Sequence, residues 1–259
     1  MNVFTPSNQQ DTKATDIQAP ALAPQIWTSL PSLPVDPHEM EQQRIVSFQR
    51  HHPAAQAFDI MRTKLLRSAS TENWTSLGIT APTSGCGKAT VAVNLAISLA
   101  KHEKIRVGVV DLDLRQPRLA GIFAHSGRYS MLEFLRGECL VEDFFVRLDD
   151  NLAIGASPDT LDHPAELLHS QSAADALTRM REELRADIIV YNLPALLESD
   201  DCLGLLPLMD TTLLVVGAEE STVADIDVSE RELQEQSKFL GVVLNKCRYK
   251  SEHGTNFQV

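Results

Sequence analysis

Thr83-Ser84-Gly85-Cys86-Gly87-Lys88-Ala89-Thr90 carries the glycines and the lysine of a phosphate-binding P-loop. An apolar run from Trp74 to Ala81 leads into it, and a helical pattern from Val91 to Lys101 leads out. That strand–loop–helix context is what a P-loop requires. The glycines let backbone N–H groups turn toward phosphate oxygens, and the following helix N-terminus favours negative charge. Ser84, Gly85, Cys86, Gly87, Lys88, Ala89 and Thr90 are therefore the candidate nucleotide-binding residues, with Lys88 reaching the β- and γ-phosphates. The residue after the lysine ordinarily supplies a hydroxyl to Mg²⁺. Here it is Ala89. Thr90 does not restore that ligand, because one residue along a helix rotates a side chain by about 100°.

The loop sits in an alternating chain. Strands are expected over 75–81, 106–111, 152–156, 187–192, 212–217 and 240–245. Helices are expected over 53–67, 87–102, 131–136, 164–184 with a break near Ser170, 201–206 and 222–237. This order predicts an α/β, P-loop NTPase-like fold with a mostly parallel sheet and helices on both faces. Continuously apolar runs such as Val107–Val110 and Leu213–Val216 suit buried parallel strands. Ligands of such sheets bind beyond the strands' carboxyl ends, so the loops after 81, 111, 192 and 245 should surround one site. Residues 1–44 are rich in Pro, Gln and Ser and show no periodicity. They read as a disordered arm ahead of a nucleotide-binding domain over 45–249, with a short tail over 250–259.

Bulk properties narrow the function. The 259-residue chain has a net charge of −12 and a sequence pI near 5.1, which argues against nucleic-acid partners. Cys86, Cys139, Cys202 and Cys247 form no metal or redox motif and read as free thiols of a reducing cytoplasm. No apolar run approaches the ~20 residues that span a bilayer, and no secretory signal is evident.

A second motif, Val109-Val110-Asp111-Leu112-Asp113-Leu114-Arg115, ends an apolar strand in two carboxylates and a guanidinium. Asp111 and Asp113 could hold Mg²⁺ or orient a hydroxyl, and Arg115 could neutralise phosphate charge. With Lys88 they form the candidate catalytic set. A surface turn with a local ion pair is the alternative.

With this pairing the chain resembles the bacterial tyrosine autokinases of capsule and exopolysaccharide systems, the CpsD/CapB type. The resemblance spans roughly residues 50–249 and includes Met131-Leu132-Glu133-Phe134-Leu135-Arg136-Gly137-Glu138, Pro164-Ala165-Glu166-Leu167-Leu168 and Gly241-Val242-Val243-Leu244-Asn245-Lys246. It implies ATP or ADP as ligand and a cytoplasmic regulator of polysaccharide assembly or export. It also implies a membrane-embedded co-polymerase or chain-length regulator as partner, peripheral placement at the inner membrane through that partner, and homo-oligomers. Asn245 matches an adenine-contacting position in the family; a turn or cap role is equally open.

The departures cluster. Asp187-Ile188-Ile189-Val190-Tyr191-Asn192-Leu193-Pro194 ends in Asn192 where the family has an Asp that holds a Mg²⁺-bound water. Ala89 and Asn192 thus replace two expected parts of the metal shell, leaving Asp111 and Asp113. The family's C-terminal tyrosine cluster is reduced to Tyr249. Its ring-forming Glu-x-x-Arg-x-x-Arg reads Gln56, Asp59 and Arg62. The implied Mg²⁺ should be weakly held or absent, and phosphoryl transfer impaired. A non-catalytic nucleotide sensor is the alternative. A ParA/MinD-type ATPase ranks third, since no lysine lies in 81–85.

Overall fold

The computed structural model describes residues 26–49 and 52–247. In chain order the elements are α1 (Ile26–Ser29), α2 (Pro37–Gln42), α3 (Pro53–Glu72), β1 (Ser76–Thr80), α4 (Lys88–Ala100), β2 (Val107–Asp111), α5 (Leu119–Ile122), α6 (Met131–Leu135), α7 (Val141–Phe144), β3 (Val146–Asp149), β4 (Leu152–Gly155), α8 (Ala165–Leu168), α9 (Gln171–Leu184), β5 (Ile188–Asn192), β6 (Thr211–Gly217), α10 (Val223–Gln236) and β7 (Phe239–Asn245). The strands form one sheet in the order β3-β4-β2-β5-β1-β6-β7. Every neighbouring pair is parallel except β3 with β4.

Successive side chains of a strand point to opposite faces, so each central strand feeds two cores. Val107, Val109, Ile188, Val190, Leu213 and Val215 join one core with α3 and α4. Val110, Ile189, Tyr191, Leu214 and Val216 join the other with α6, α7 and α9. Two-sided burial explains why these strands read as unbroken apolar runs. Helix α4 is buried around nearly all of its circumference, because the sheet lies on one side and α3 on the other. The expected break in the 164–184 helix falls at Ser170, whose hydroxyl caps α9 by accepting from Ala173 N at 3.2 Å.

Three expectations need correction. Residues 26–44 carry ordered structure and are not part of a disordered arm; residues 1–25 and the tail 250–259 lie outside the described residues. Trp27 is buried and donates its indole N–H to Leu184 O at 2.6 Å, Ser32 bridges Arg147, and Met40 joins the α3/α4 core. Within this Pro-rich segment a proline opens a helix instead of preventing one. Pro37 occupies the first turn of α2, where a missing N–H costs nothing, and Asp36 caps it. Second, β3 was not anticipated; it is a four-residue antiparallel edge strand. Third, 201–206 is not an α-helix but two 3₁₀ turns, Asp200–Cys202 and Leu206–Leu208, separated by Gly204.

Candidate functional site

The loops after β1, β2 and β7, together with residues 42–44, enclose a cavity of about 430 Å³ at the carboxyl edge of the sheet. Its walls are Gly85, Gly87, Lys88, Ala89 and Thr90 of the P-loop, Asp113, Gln116 and Arg118 after β2, Gln42, Gln43 and Arg44, and Lys246 after β7. Thr90 lines the same cavity as Ala89, although helical rotation had suggested it would face elsewhere.

The P-loop conformation is enforced by its sequence. Gly85 and Gly87 have φ of 85° and 89°, a region that side chains disfavour. At Gly87 a Cβ would also fall 2.2 Å from Asn245 Nδ2. Asn245 itself donates Nδ2 to Cys86 O at 2.9 Å and accepts from Lys246 N at 2.8 Å. Its amide therefore braces the P-loop and the turn that follows β7. Cys86 is a buried filler, 3.4 Å from Ser221 Oγ. The Ser84 N–H points to Glu198 Oε1 at 2.6 Å.

The charged groups are deeply engaged. Lys88 is buried and donates to Asp113 Oδ2 at 2.5 Å. Asp111 is 1% exposed and accepts from four donors: Asn192 Nδ2 at 2.7 Å, Arg118 N at 2.8 Å, Leu119 N at 2.9 Å and Asp113 N at 3.3 Å. Burial pushes its carboxyl above the usual range. The Leu119 N–H, the Asn192 amide and the Arg118 N–H oppose that rise, while the Asp113 charge adds to it. Asp111 thus anchors the start of α5.

These residues offer a resident Mg²⁺ few uncommitted oxygens of their own. Mg²⁺ takes an octahedral set of oxygens, of which a protein usually supplies one or two carboxylates while water and substrate phosphates supply the rest. Ala89 offers none, Asp111 is saturated, Asp113 Oδ2 is bound to Lys88, and Asn192 turns its N–H rather than an oxygen toward Asp111. The other Asn192 atom, Oδ1, is buried without a partner. A nucleotide fits better, since the cradle, Lys88 and an open volume are all present.

Arg115 is not brought into the cavity. It pairs with Asp201, whose side chain is fully buried, and donates to Asp162 O at 2.5 Å. A buried carboxylate requires a cation, and Asp201 takes this one. Although burial works against its charged form, the bonds from Arg115 and Ser199 hold the Asp201 carboxyl below its ordinary range. Arg118, three residues on, lines the cavity instead. Sequence reasoning missed it, along with Arg44 and Lys246; the second arginine of Arg115-Gln116-Pro117-Arg118 was a usable signal. Asp59 and Arg62 pair with each other at 2.8 Å and with Ser98 of α4, so within the chain they clamp α3 onto α4. His52 caps α3 by accepting from Ala54 N at 3.2 Å. Tyr249 lies outside the described residues. Among the described residues no helix is long and apolar enough to cross a membrane.

Comparison with known proteins agrees with this geometry. Residues 77–258, more than half of the chain, match the CobQ/CobB/MinD/ParA nucleotide binding domain. The chain is 28% identical over 198 residues to a putative tyrosine-protein kinase, EpsB, of Ralstonia nicotianae, covering 74% of this chain but 26% of EpsB. It is 28% identical over 173 residues to the tyrosine-protein kinase CpsD of Streptococcus pneumoniae, covering 66% of this chain and 75% of CpsD. A third relative, the succinoglycan biosynthesis transport protein ExoP of Rhizobium meliloti, is 31% identical over 167 residues, 62% of this chain and 21% of ExoP. The chain therefore spans only about a quarter of the length of EpsB. The kinase domain of the Escherichia coli tyrosine kinase ETK superposes with a TM-score of 0.72 at 20% identity, over 87% of this chain and 94% of that domain. A P-loop braced by Asn245, a parallel sheet of matching topology and a family match that begins in β1 lead to one conclusion: the chain belongs to the CobQ/CobB/MinD/ParA nucleotide-binding domain family.

Proposed function

We propose that this protein is a cytoplasmic ATP- or ADP-binding regulator of exopolysaccharide or capsule assembly, related to the tyrosine autokinases but impaired in phosphoryl transfer. Its partner would be a membrane-embedded polysaccharide co-polymerase that brings it to the inner membrane. The names of its relatives support the setting, and the site supports the impairment. The state of Asp111 carries the argument: its carboxylate is buried and spent on four donors, one of them the Asn192 amide. Phosphoryl transfer needs a divalent ion bridging the β- and γ-oxygens. Nucleotide binding needs only the backbone cradle, Lys88 and an open cavity.

The test is phosphoryl transfer from ATP with Mg²⁺, in the native protein and in the double substitution Ala89→Thr plus Asn192→Asp. The reading predicts little transfer by the native protein and a gain in the double variant. Robust native transfer would contradict it. Tyr249 is the tail tyrosine to monitor.

A further inference from the structure

The segment before α3 reaches the P-loop cavity because one buried side chain holds it there. Asn94, on α4 two turns beyond the P-loop lysine, is fully buried. Its Oδ1 accepts from Val46 N at 2.8 Å and Ser47 N at 2.9 Å, and its Nδ2 donates to Arg44 O at 3.0 Å and Thr90 O at 2.9 Å. An asparagine amide has two acceptor and two donor positions, and all four are filled. Ile45 and Val46 seal the same segment into the α3/α4 core.

Arg44 emerges from this anchor at φ 63°, a left-handed conformation that residues with a Cβ adopt only when their surroundings impose it. It is exposed and lines the cavity that Lys88 and Arg118 also line. The other two cations of the cavity already have acidic partners, Lys88 with Asp113 and Lys246 with Glu220 at 2.7 Å. Neither the Arg44 nor the Arg118 guanidinium pairs with an acid among the described residues. Two unneutralised guanidiniums on one cavity beside the P-loop, in a chain with a net charge of −12, mark that cavity as a site for an anion.

We propose that Arg44, with Arg118, binds the terminal phosphates of the nucleotide and supplies the positive charge that the missing divalent ion would otherwise bring. This rests on the nucleotide-binding reading above. Planar guanidiniums suit phosphate oxygens, and bidentate contacts to them are among the stronger hydrogen bonds. Asn94 is the positioning residue, since it fixes the backbone from which Arg44 projects. The site would therefore favour triphosphate over monophosphate in the absence of metal.

Calorimetric binding of ATP and AMP in EDTA tests this in the native protein, Arg44→Ala, Arg44→Gly and Arg118→Ala. The glycine variant removes the side chain while relaxing the left-handed backbone, so its loss cannot be laid to misfolding. Each variant should bind ATP about tenfold more weakly and AMP nearly as before. Unchanged ATP affinity in Arg44→Gly would overturn this inference alone, as would equal loss of ATP and AMP. A native protein that binds no nucleotide would overturn the nucleotide-binding reading and this inference with it.

Discussion

Asn192 donates its side-chain N–H to Asp111 Oδ1 at 2.7 Å, joining the ends of β5 and β2 by a direct bond between two buried side chains. An aspartate at 192 could make this contact only by sharing a proton or a cation, because two carboxylates at that distance cannot both ionise in a dry site. Asn192→Asp should destabilise the metal-free protein by about 1–3 kcal/mol at neutral pH. Asp111 already sits above its ordinary range through burial. A carboxyl whose folded pKa is raised binds more protons folded than unfolded, so stability falls as pH climbs from the unfolded value to the folded one. The variant's deficit should therefore shrink in acid and on adding Mg²⁺. Thermal melts across pH, with and without Mg²⁺, measure both; a deficit independent of pH and metal would be inconsistent with the arrangement.

The Lys88–Asp113 pair makes a second prediction. Asp113 accepts from the P-loop lysine at 2.5 Å, so a phosphate would have to compete with it for that cation. Asp113→Asn keeps the shape and removes the competing charge. Metal-free ATP binding should tighten by about 1 kcal/mol, several-fold in affinity. Weaker binding in a titration with EDTA would show that Asp113 supports the ligand rather than competing with it.

Arg115 and Asp201 allow a test that pH can read. Truncating Arg115 to Ala leaves a fully buried carboxylate without its cation, at a cost of about 3 kcal/mol. In the native chain Asp201 is held below its ordinary range, so its stabilising share is present above the unfolded pKa and lost as pH falls through the folded value. In Arg115→Ala the main support of the charged form is gone, and only the Ser199 hydroxyl and the His169 charge are left to oppose burial. Denaturation at pH 7 and at pH 4 should show the variant's deficit narrowing in acid; a deficit that widens would refute the pairing.

Much of this was legible in the sequence. The strands buried on both faces announced themselves as apolar runs, and the P-loop's glycines announced its shape. The segment 26–44 was not, because Trp27, Leu30 and Met40 follow no helical or strand period and are held by distant partners such as Leu184 O. The same reason hid Arg44, whose placement depends on Asn94, fifty residues later in the chain. The sequence pointed to Arg115 at the phosphate site, but a buried Asp201 captured it, and no local pattern reveals a partner that lies 86 residues away. The departures at Ala89 and Asn192 were visible at once; their consequence for Asp111 required the geometry.

Asn94→Ala probes how much that hidden segment contributes. The substitution strands the Val46 and Ser47 N–H groups in a buried setting. A loss of about 2–4 kcal/mol is expected from urea denaturation. A change below ~0.5 kcal/mol, the ordinary range of surface substitutions, would mean that the segment is not held by this amide.

The central claim is that this site binds nucleotide through the P-loop backbone and its own cations rather than through a divalent metal. Titrating ATP into the native protein by calorimetry, once with Mg²⁺ and once with EDTA, tests it most directly. The account predicts measurable binding in both, with affinities within a few-fold of each other. Binding that appears only with Mg²⁺ would contradict it.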